Sequence, residues 1–313
     1  MKALVIDKVS EKIPVGLSDL GFDVTIKILP TKDQLKKIIK DFDLLVMRVD
    51  PFIDKEILDA AENLKLIAVS SVGTNHINLE YAKEKGIDVR NSPGLNSNAV
   101  AELTIGKIFE LYRFLIEANN EVKYKNNWNK YKWAGKELKG DTLGIIGFGK
   151  IGKRVAKLAK ALEMNVIAND IIYEPGEIVD GIKIADIDEI LSDSDVISLH
   201  LPITDKSKHL ISKKEIEKMK DGVFIINNAR GGIVNEEDLY FYLKNKKVAG
   251  YGLDCLEAEL AGGGLQTEDV HMESDLFELD NVYVSPHIGG NTKDAFDAIA
   301  DLVLKNVKEV FNL

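Results

Sequence analysis

The sequence predicts an α/β protein built of two doubly wound parallel-sheet domains. Short apolar runs alternate with charged stretches of helical period, the βαβα order that makes a parallel sheet covered on both faces. That alternation runs once, gives way to a long helical pattern and a polar, aromatic stretch, and then runs again. At 313 residues the chain also exceeds one typical core and suits two.

In the first series residues 3–7, 24–28, 44–47, 66–70 and 88–90 read as strands, with helical stretches such as 32–40 and 55–61 between them. Residues 99–122 follow as one expected helix with Ala101, Ile105, Ile108, Leu111 and Leu115 on a common side. A polar, aromatic segment, 123–140, leads to the second series, with strands expected at 142–147, 165–169, 196–199, 223–227, 249–253 and 282–285. Residues 292–311 read as a closing amphipathic helix. The expected domains are 1–98 with 286–313, and 99–285, with substrate in the cleft between them.

Composition narrows the function. Forty-one basic against 51 acidic residues leave a net charge of -10, which argues against a nucleic-acid partner, since phosphate contacts need clustered Lys and Arg. The first residues run straight into a strand rather than a signal peptide, and no apolar stretch reaches the roughly 20 residues of a membrane span. The lone Cys255 allows no internal disulfide and no multi-thiolate zinc site, and fits a reducing cytoplasm. No HExxH pattern or ligand cluster suggests a metal.

The sharpest local signal is Gly147-Phe148-Gly149-Lys150-Ile151-Gly152, set between the apolar run 143–146 and a helical pattern. Gly147 suits a tight turn, Gly149 lets backbone approach a pyrophosphate, and Gly152 lets helix and strand pack closely. The helix N-terminus then offers unpaired N–H groups and positive dipole to the phosphates. Asp170 ends the next strand, where a dinucleotide site places an acid on the adenosine ribose. The second domain therefore reads as a Rossmann domain. A carboxylate at that point, followed by Ile171, Ile172 and Tyr173 rather than a basic residue, favours NAD over NADP.

Three later motifs carry the chemistry: Asn227-Asn228-Ala229-Arg230-Gly-Gly, then Gly252-Leu-Asp254-Cys-Leu-Glu-Ala-Glu259, then Ser285-Pro-His287-Ile-Gly289-Gly290. With the glycine turn they resemble, in order and spacing, the D-isomer-specific 2-hydroxyacid dehydrogenases. Further matches are Val72-Gly73 ahead of Asn75-His-Ile, the run from Asn96 to Glu102, and His200-Leu201-Pro202-Ile-Thr204, so the resemblance covers essentially the whole chain.

The resemblance implies that Arg230 holds the substrate carboxylate and carbonyl oxygen, a task suited to a planar, permanently charged fork. It makes His287 the acid/base, as imidazole titrates near working pH. It makes Glu259, five positions after Asp254, the partner of the other ring nitrogen, with Glu257 the less favoured candidate. Val72 and Gly73 would bind the carboxylate through their N–H groups. Leu201, Pro202, Asn228, Ala229, Asp254, Gly289 and Gly290 would contact the cofactor. Taken singly each residue has a plainer reading: a surface ion pair for Arg230, a segment cap for His287, an exposed loop acid for Glu259. His200 is expected to pack beside the cofactor, His76 to lie near the carboxylate loop, and His209 and His271 to be surface residues. Cys255 reads as a buried thiol. Trp128, Trp133, Tyr124 and Tyr131 suit either an aromatic oligomer contact or core packing, and the family implies a homodimer.

Substrate identity is divided. Pro286-His-Ile-Gly-Gly, residues 91–94 and residues 128–138 resemble the phosphoglycerate and hydroxypyruvate branches. Ser71-Val-Gly-Thr-Asn-His-Ile-Asn and the long stretch between Asp254 and His287, with glycines at 262–264 and acids around 268–273, resemble D-lactate and related 2-oxo-acid reductases. The chain ends at Leu313, so a regulatory serine-binding domain is not expected. Phosphoglycerate-specific relatives place a second arginine where this chain has Val69, and Arg48 alone ends its strand near the expected cleft. An unphosphorylated 2-oxo acid is therefore expected ahead of 3-phosphohydroxypyruvate, with D-3-phosphoglycerate dehydrogenase as the alternative. A reading of another class is an NAD-sensing binding protein like the C-terminal-binding-protein corepressors. Turnover of NADH with 2-oxo acids discriminates the two.

Overall fold

Five parallel strands form the first sheet in the computed structural model, which describes residues 1–260 and 271–313. They are β1 (Lys2–Val5), β2 (Asp23–Ile26), β3 (Leu44–Met47), β4 (Leu66–Val69) and β5 (Asp88–Arg90), in the order β2-β1-β3-β4-β5. β3 and β4, LLVM and LIAV, are buried at every position, as parallel strands covered on both faces must be. Alternate residues serve opposite faces. Leu4, Leu45, Met47, Ile67 and Val69 pack with Leu35, Ile57 and Leu58, whereas Val5, Leu44, Val46, Leu66 and Ala68 pack with Ile13, Leu17, Ile299 and Val303. The closing helix, Lys293–Phe311, thus returns to the first sheet. It starts one residue later than the sequence suggests because Thr292 is its cap, with Oγ1 accepting the Ala295 N–H at 3.1 Å.

The chain divides into two compact units, Met1–Asn96 with Asn291–Leu313, and 97–260 with 271–290. The glycine run at 262–264 lies outside the described residues, as does the acidic stretch as far as 270.

The second unit holds β6 (Thr142–Ile146), β7 (Asn165–Asn169), β8 (Ile178–Val179), β9 (Ile182–Ile184), β10 (Val196–Leu199), β11 (Val223–Asn227), β12 (Val248–Leu253) and β13 (Val282–Val284). Their order is β13-β12-β11-β10-β6-β7-β9-β8, parallel except for the β8–β9 pair. From β9 to β12 this is the Rossmann order, and it reverses direction between β6 and β10. That switch point places the turn after β6 beside the end of β10, where a dinucleotide crevice forms.

Two regions depart furthest from the sequence reading. β8 and β9, of two and three residues, are too short to show a period. Their turn is Asp180-Gly181, both at positive φ (52° and 74°), the residue pair a two-residue hairpin favours. The single helix expected at 99–122 is two, Ser97–Arg113 and Leu115–Lys125, broken where Phe114 takes a left-handed conformation (φ 53°, ψ 41°). The break turns Leu115 out to half exposure, while Ala101, Ile108 and Leu111 stay buried.

Candidate active site

The dinucleotide turn has the shape its glycines call for. Gly147 sits at φ 97°, and a Cβ there would lie 2.5 Å from His200 O. A Cβ at Gly152 would lie 2.2 Å from Gly147 O, so helix and strand meet too closely for any side chain. At Gly149 the same Cβ would meet nothing within 4 Å. Open space beside the N-cap of helix Lys150–Ala161 is what an approaching phosphate requires. Asp170 closes the far side, its Oδ2 accepting the Phe148 N–H at 2.7 Å and its Oδ1 the Ile172 N–H at 3.2 Å. Leu201 packs beside Gly147, and Pro202 O accepts the Ser207 hydroxyl at 2.7 Å.

Several polar groups here suit a bound ligand. Asn228 donates to Thr104 Oγ1 at 3.1 Å, yet its Oδ1 is buried with no partner among the described residues. His200 contacts Ser198 Oγ at 2.9 Å through Nε2 and leaves Nδ1 buried with no partner among the described residues. Burial lowers its pKa to about 4, so the ring is neutral at working pH. Buried polar atoms are rarely left unsatisfied, and the cradle fits a dinucleotide.

The chemistry residues stand past the ends of three adjacent strands. Asn227 of β11 is in register with Leu253 of β12, and Leu253 with Val284 of β13. Parallel pairing thus brings the carboxyl ends of segments far apart in sequence side by side, and Arg230, Asp254, Glu259 and His287 follow those ends. Asn227 shapes the first loop: its Oδ1 accepts the Ala229 N–H at 3.2 Å and its Nδ2 donates to Arg230 O at 2.9 Å. Arg230 is half-buried, with Nη1 donating to Ala229 O at 2.7 Å.

Asp254 is the anchor of the third loop. It is 2% exposed, and its carboxylate accepts the Ile288 N–H at 2.9 Å, the Gly289 N–H at 2.6 Å and the Ser285 hydroxyl. A Cβ at position 289 would come within 2.9 Å of Asp254 Oδ2, which accounts for glycine there. The loop forces His287 to φ 51°, with its N–H donating to Ser285 O at 3.0 Å. Strain of this kind persists only where surrounding contacts impose it. The turn presents the ring to Glu259, and Nδ1 lies 2.6 Å from Glu259 Oε2. Glu259 Oε1 is itself held by the Leu256 N–H at 2.7 Å.

Glu257 pairs instead with His209, whose Nε2 lies 2.9 Å from both carboxylate oxygens. His209 is therefore a partnered residue and not a bare surface one. Glu257 stands 48 positions from His209 along the chain, and that separation left no signal in the sequence. His271 is exposed. Cys255 is buried, and burial foremost, then the charges of Glu259 and Asp254, push its thiol pKa far up, which suits a packed thiol rather than a nucleophile.

In the first unit Ser71 Oγ donates to Arg48 O at 2.7 Å and Asn91 Nδ2 to Val72 O at 2.6 Å, which fixes the loop after β4. The N–H groups of Val72 and Gly73 donate to none of the described residues. Arg48 lies 5.1 Å over the Phe296 ring, with Nη2 donating to Asn291 Oδ1 at 3.2 Å and Nε buried with no partner among the described residues. The same holds for the buried Nε2 of His76, where burial lowers the pKa to about 4.

Comparison with known proteins identifies the family. Residues 105–289, over half of the chain, match the family model described as D-isomer specific 2-hydroxyacid dehydrogenase, NAD binding domain. The chain is 41% identical over 282 residues to a hydroxypyruvate reductase of Thermotoga maritima, covering 89% of this chain and 88% of that one. It is 38% identical to a D-3-phosphoglycerate dehydrogenase of Archaeoglobus fulgidus, covering 94% of this chain but 54% of that one, so it spans about half of that relative's length. Among solved structures, the D-lactate dehydrogenase of Aquifex aeolicus, complexed with NAD and lactic acid, superposes with a TM-score of 0.80 at 32% identity, covering 99% and 95% of the two chains. A family model over more than half of the chain and a relative 41% identical over most of both chains lead to one assignment. The chain belongs to the D-isomer-specific 2-hydroxyacid dehydrogenases, NAD-dependent oxidoreductases that act on a CH–OH group.

Proposed function

We propose that the protein interconverts an unphosphorylated 2-oxo acid and its D-2-hydroxy acid, with Arg230, Glu259 and His287 as catalytic residues. The observation that carries this reading is the 2.6 Å contact of Glu259 with His287 Nδ1, on a loop pinned by Asp254. NAD(H), bound at the Gly147–Gly152 turn, supplies or takes the hydride. With Nδ1 engaged by Glu259, Nε2 is the ring nitrogen left to exchange a proton. In reduction His287 gives that proton to the carbonyl oxygen as C2 is reduced, and in oxidation it removes the proton from the hydroxyl. Arg230 binds the carboxylate and polarises the carbonyl with its planar fork. Leu201, Pro202, Asn228, Ala229, Asp254, Gly289 and Gly290 are the proposed cofactor contacts beyond the turn, and Val72, Gly73 and Arg48 the first unit's share of substrate binding.

A short acid such as glyoxylate, hydroxypyruvate or pyruvate suits that end better than a phosphate ester. Arg48 is a single guanidinium preset by Phe296 and Asn291, with Val69 where a second arginine would help clamp a phosphate. Asp7 lies beside it, accepting the Arg48 N–H at 3.1 Å, and Asp50 is close enough to feel the Asp7 charge. Both acids oppose added negative charge. In NADH-coupled assays kcat/KM for hydroxypyruvate should exceed that for its 3-phosphate ester. A hundredfold preference for the ester, about 2.7 kcal/mol, overturns this ranking and makes the protein a phosphoglycerate dehydrogenase.

Asp170 sets the coenzyme choice. Its carboxylate is fixed by two backbone N–H groups, and Ile171, the next residue, is 98% exposed with no charge to offer a 2′-phosphate. NADH should exceed NADPH in catalytic efficiency by about a hundredfold, as like charges brought together cost several kcal/mol. Equal efficiencies would refute the assignment.

A homodimer is the proposed assembly, formed through the aromatic arm of the second unit. Leu115, Ile116 and Val122 are exposed there together with Tyr124, Trp128 (82%) and Tyr131 (83%), which excludes core packing for these rings. Ile116, Phe277 and Val284 line a groove of about 430 Å³ on the same unit. Apolar surface of this extent marks an interface. Sedimentation at micromolar concentration should give the mass of two chains, and a monomer would count against it. The buried Cys255 thiol, outside any disulfide, fits the reducing cytoplasm in which we place the enzyme.

A further inference from the structure

Two histidine–glutamate pairs rest on one short 3-10 turn. Glu257–Leu260 presents Glu259 to His287 and, two residues earlier, Glu257 to His209. Either carboxylate is long enough to serve an imidazole, so something must decide which one meets His287. The turn is pinned at both of its leading peptides. Glu259 Oε1 accepts the Leu256 N–H, and Glu236 Oε1, from another element, accepts the Glu257 N–H at 2.8 Å. Glu236 opens the helix Glu236–Lys244 directly after its cap Asn235, whose side chain accepts the Asp238 N–H. It is thus carried on a capped helix that packs on β12, and not on a loose loop.

We propose that Glu236, together with the His209–Glu257 pair, is a positioning device for the acid/base centre. Glu236 holds the turn's backbone in register, and His209 occupies Glu257, so that Glu259 alone reaches His287. The inference rests on His287 being the proton-exchanging group proposed above. Charged and titratable groups face Glu236 from several elements. Glu257 and Glu259 face it from the turn and His209 from the segment after β10. Tyr251 of β12 and Cys255 sense its charge, and Glu237, Tyr240 and Asp275 line the same cavity of about 220 Å³. Burial foremost, then the charges of Glu257 and Glu259, raise the Glu236 carboxyl above its ordinary pKa, while the Glu257 N–H and His209 pull it back.

The test compares Glu236→Ala, Glu236→Gln and His209→Ala in the full-length enzyme. It reads the pH profile of kcat, the KM for a 2-oxo acid, and the NMR titration of the His287 ring. Glu236→Ala should lower kcat about tenfold, the cost of a slightly misplaced catalytic group, with KM little changed and the His287 ring titration moved as Glu259 loosens. Glu236→Gln keeps an oxygen for the Glu257 N–H and should restore most of kcat. His209→Ala frees Glu257 to join Glu259, and should likewise move the His287 titration. Wild-type kcat with an unmoved His287 titration in Glu236→Ala overturns the proposal, and so does a Gln variant as impaired as the Ala one. If Glu236→Ala does not fold, an unmoved titration in His209→Ala overturns it. His287→Ala run alongside separates the two readings: retained kcat there refutes the acid/base assignment, while the NMR arm still judges Glu236.

Discussion

Replacing His287 with alanine is expected to lower kcat by about 10²–10⁴-fold, the usual worth of a positioned acid/base, while NADH affinity stays close to that of the parent enzyme. The separation follows from where the residue stands. The pyrophosphate cradle is made by Gly147, Gly149 and the N-terminus of helix Lys150–Ala161, whereas His287 stands past β13 on a loop tied to Asp254. Removing the ring leaves the Asp254 carboxylate its bonds to the Ser285 hydroxyl and to the Ile288 and Gly289 N–H groups, so the loop should persist. Fluorescence titration with NADH and steady-state rates measure the two quantities independently. A variant with near-normal kcat would remove His287 from the mechanism. Glu259→Gln extends the argument: Nδ1 keeps a hydrogen-bond acceptor but loses the carboxylate that holds it at 2.6 Å, so kcat should fall while NADH affinity again holds.

Much of this architecture could be read from residue pattern because parallel strands buried on both faces leave unbroken apolar runs. Residues 44–47, 88–90, 165–169, 196–199 and 223–227 were expected as strands and are strands at those bounds. Where the pattern is short the reading fails: β8 and β9 are too brief for a period to show, although Asp180-Gly181 carried a usable turn signal. Phe114 was missed for another reason. A left-handed bulky residue breaks the helix without a glycine or proline to announce it, and its ring then lies 6.1 Å from Trp133. The site divides the same way. The glycine turn is a local motif and states its own geometry. The partnership of Glu259 with His287 was implied by resemblance, and the structure supplies the cause, adjacent strand ends with Asp254 between them. The His209–Glu257 pair and the Glu236 contact join segments 48 and 21 positions apart, and no local pattern reports such pairings.

Arg230→Lys is expected to reduce kcat/KM for a 2-oxo acid by at least about a hundredfold although the charge is kept, because a point charge cannot reproduce a planar, two-pronged contact. The position of Arg230 sharpens this expectation. Asn227, at the end of β11, accepts the Ala229 N–H and donates to Arg230 O, so the backbone carrying the guanidinium is closed into a tight loop. Gly231 must follow without a side chain, since a Cβ there would lie 1.9 Å from Leu256 O, just before the turn that bears Glu259. Arg230 and Glu259 therefore hang from backbones in direct contact, and Nη1 already donates to Ala229 O at 2.7 Å, which limits the swing of the fork. A lysine ammonium on a flexible stem has neither the second prong nor that restraint. The loss should fall on both kcat and KM, as the same fork binds the carboxylate and polarises the carbonyl, whereas NADH binding should be unaffected. A Lys variant within a few-fold of the parent in kcat/KM would show that charge alone suffices at this position, and would move the carboxylate-binding role to the Val72 and Gly73 N–H groups or to Arg48.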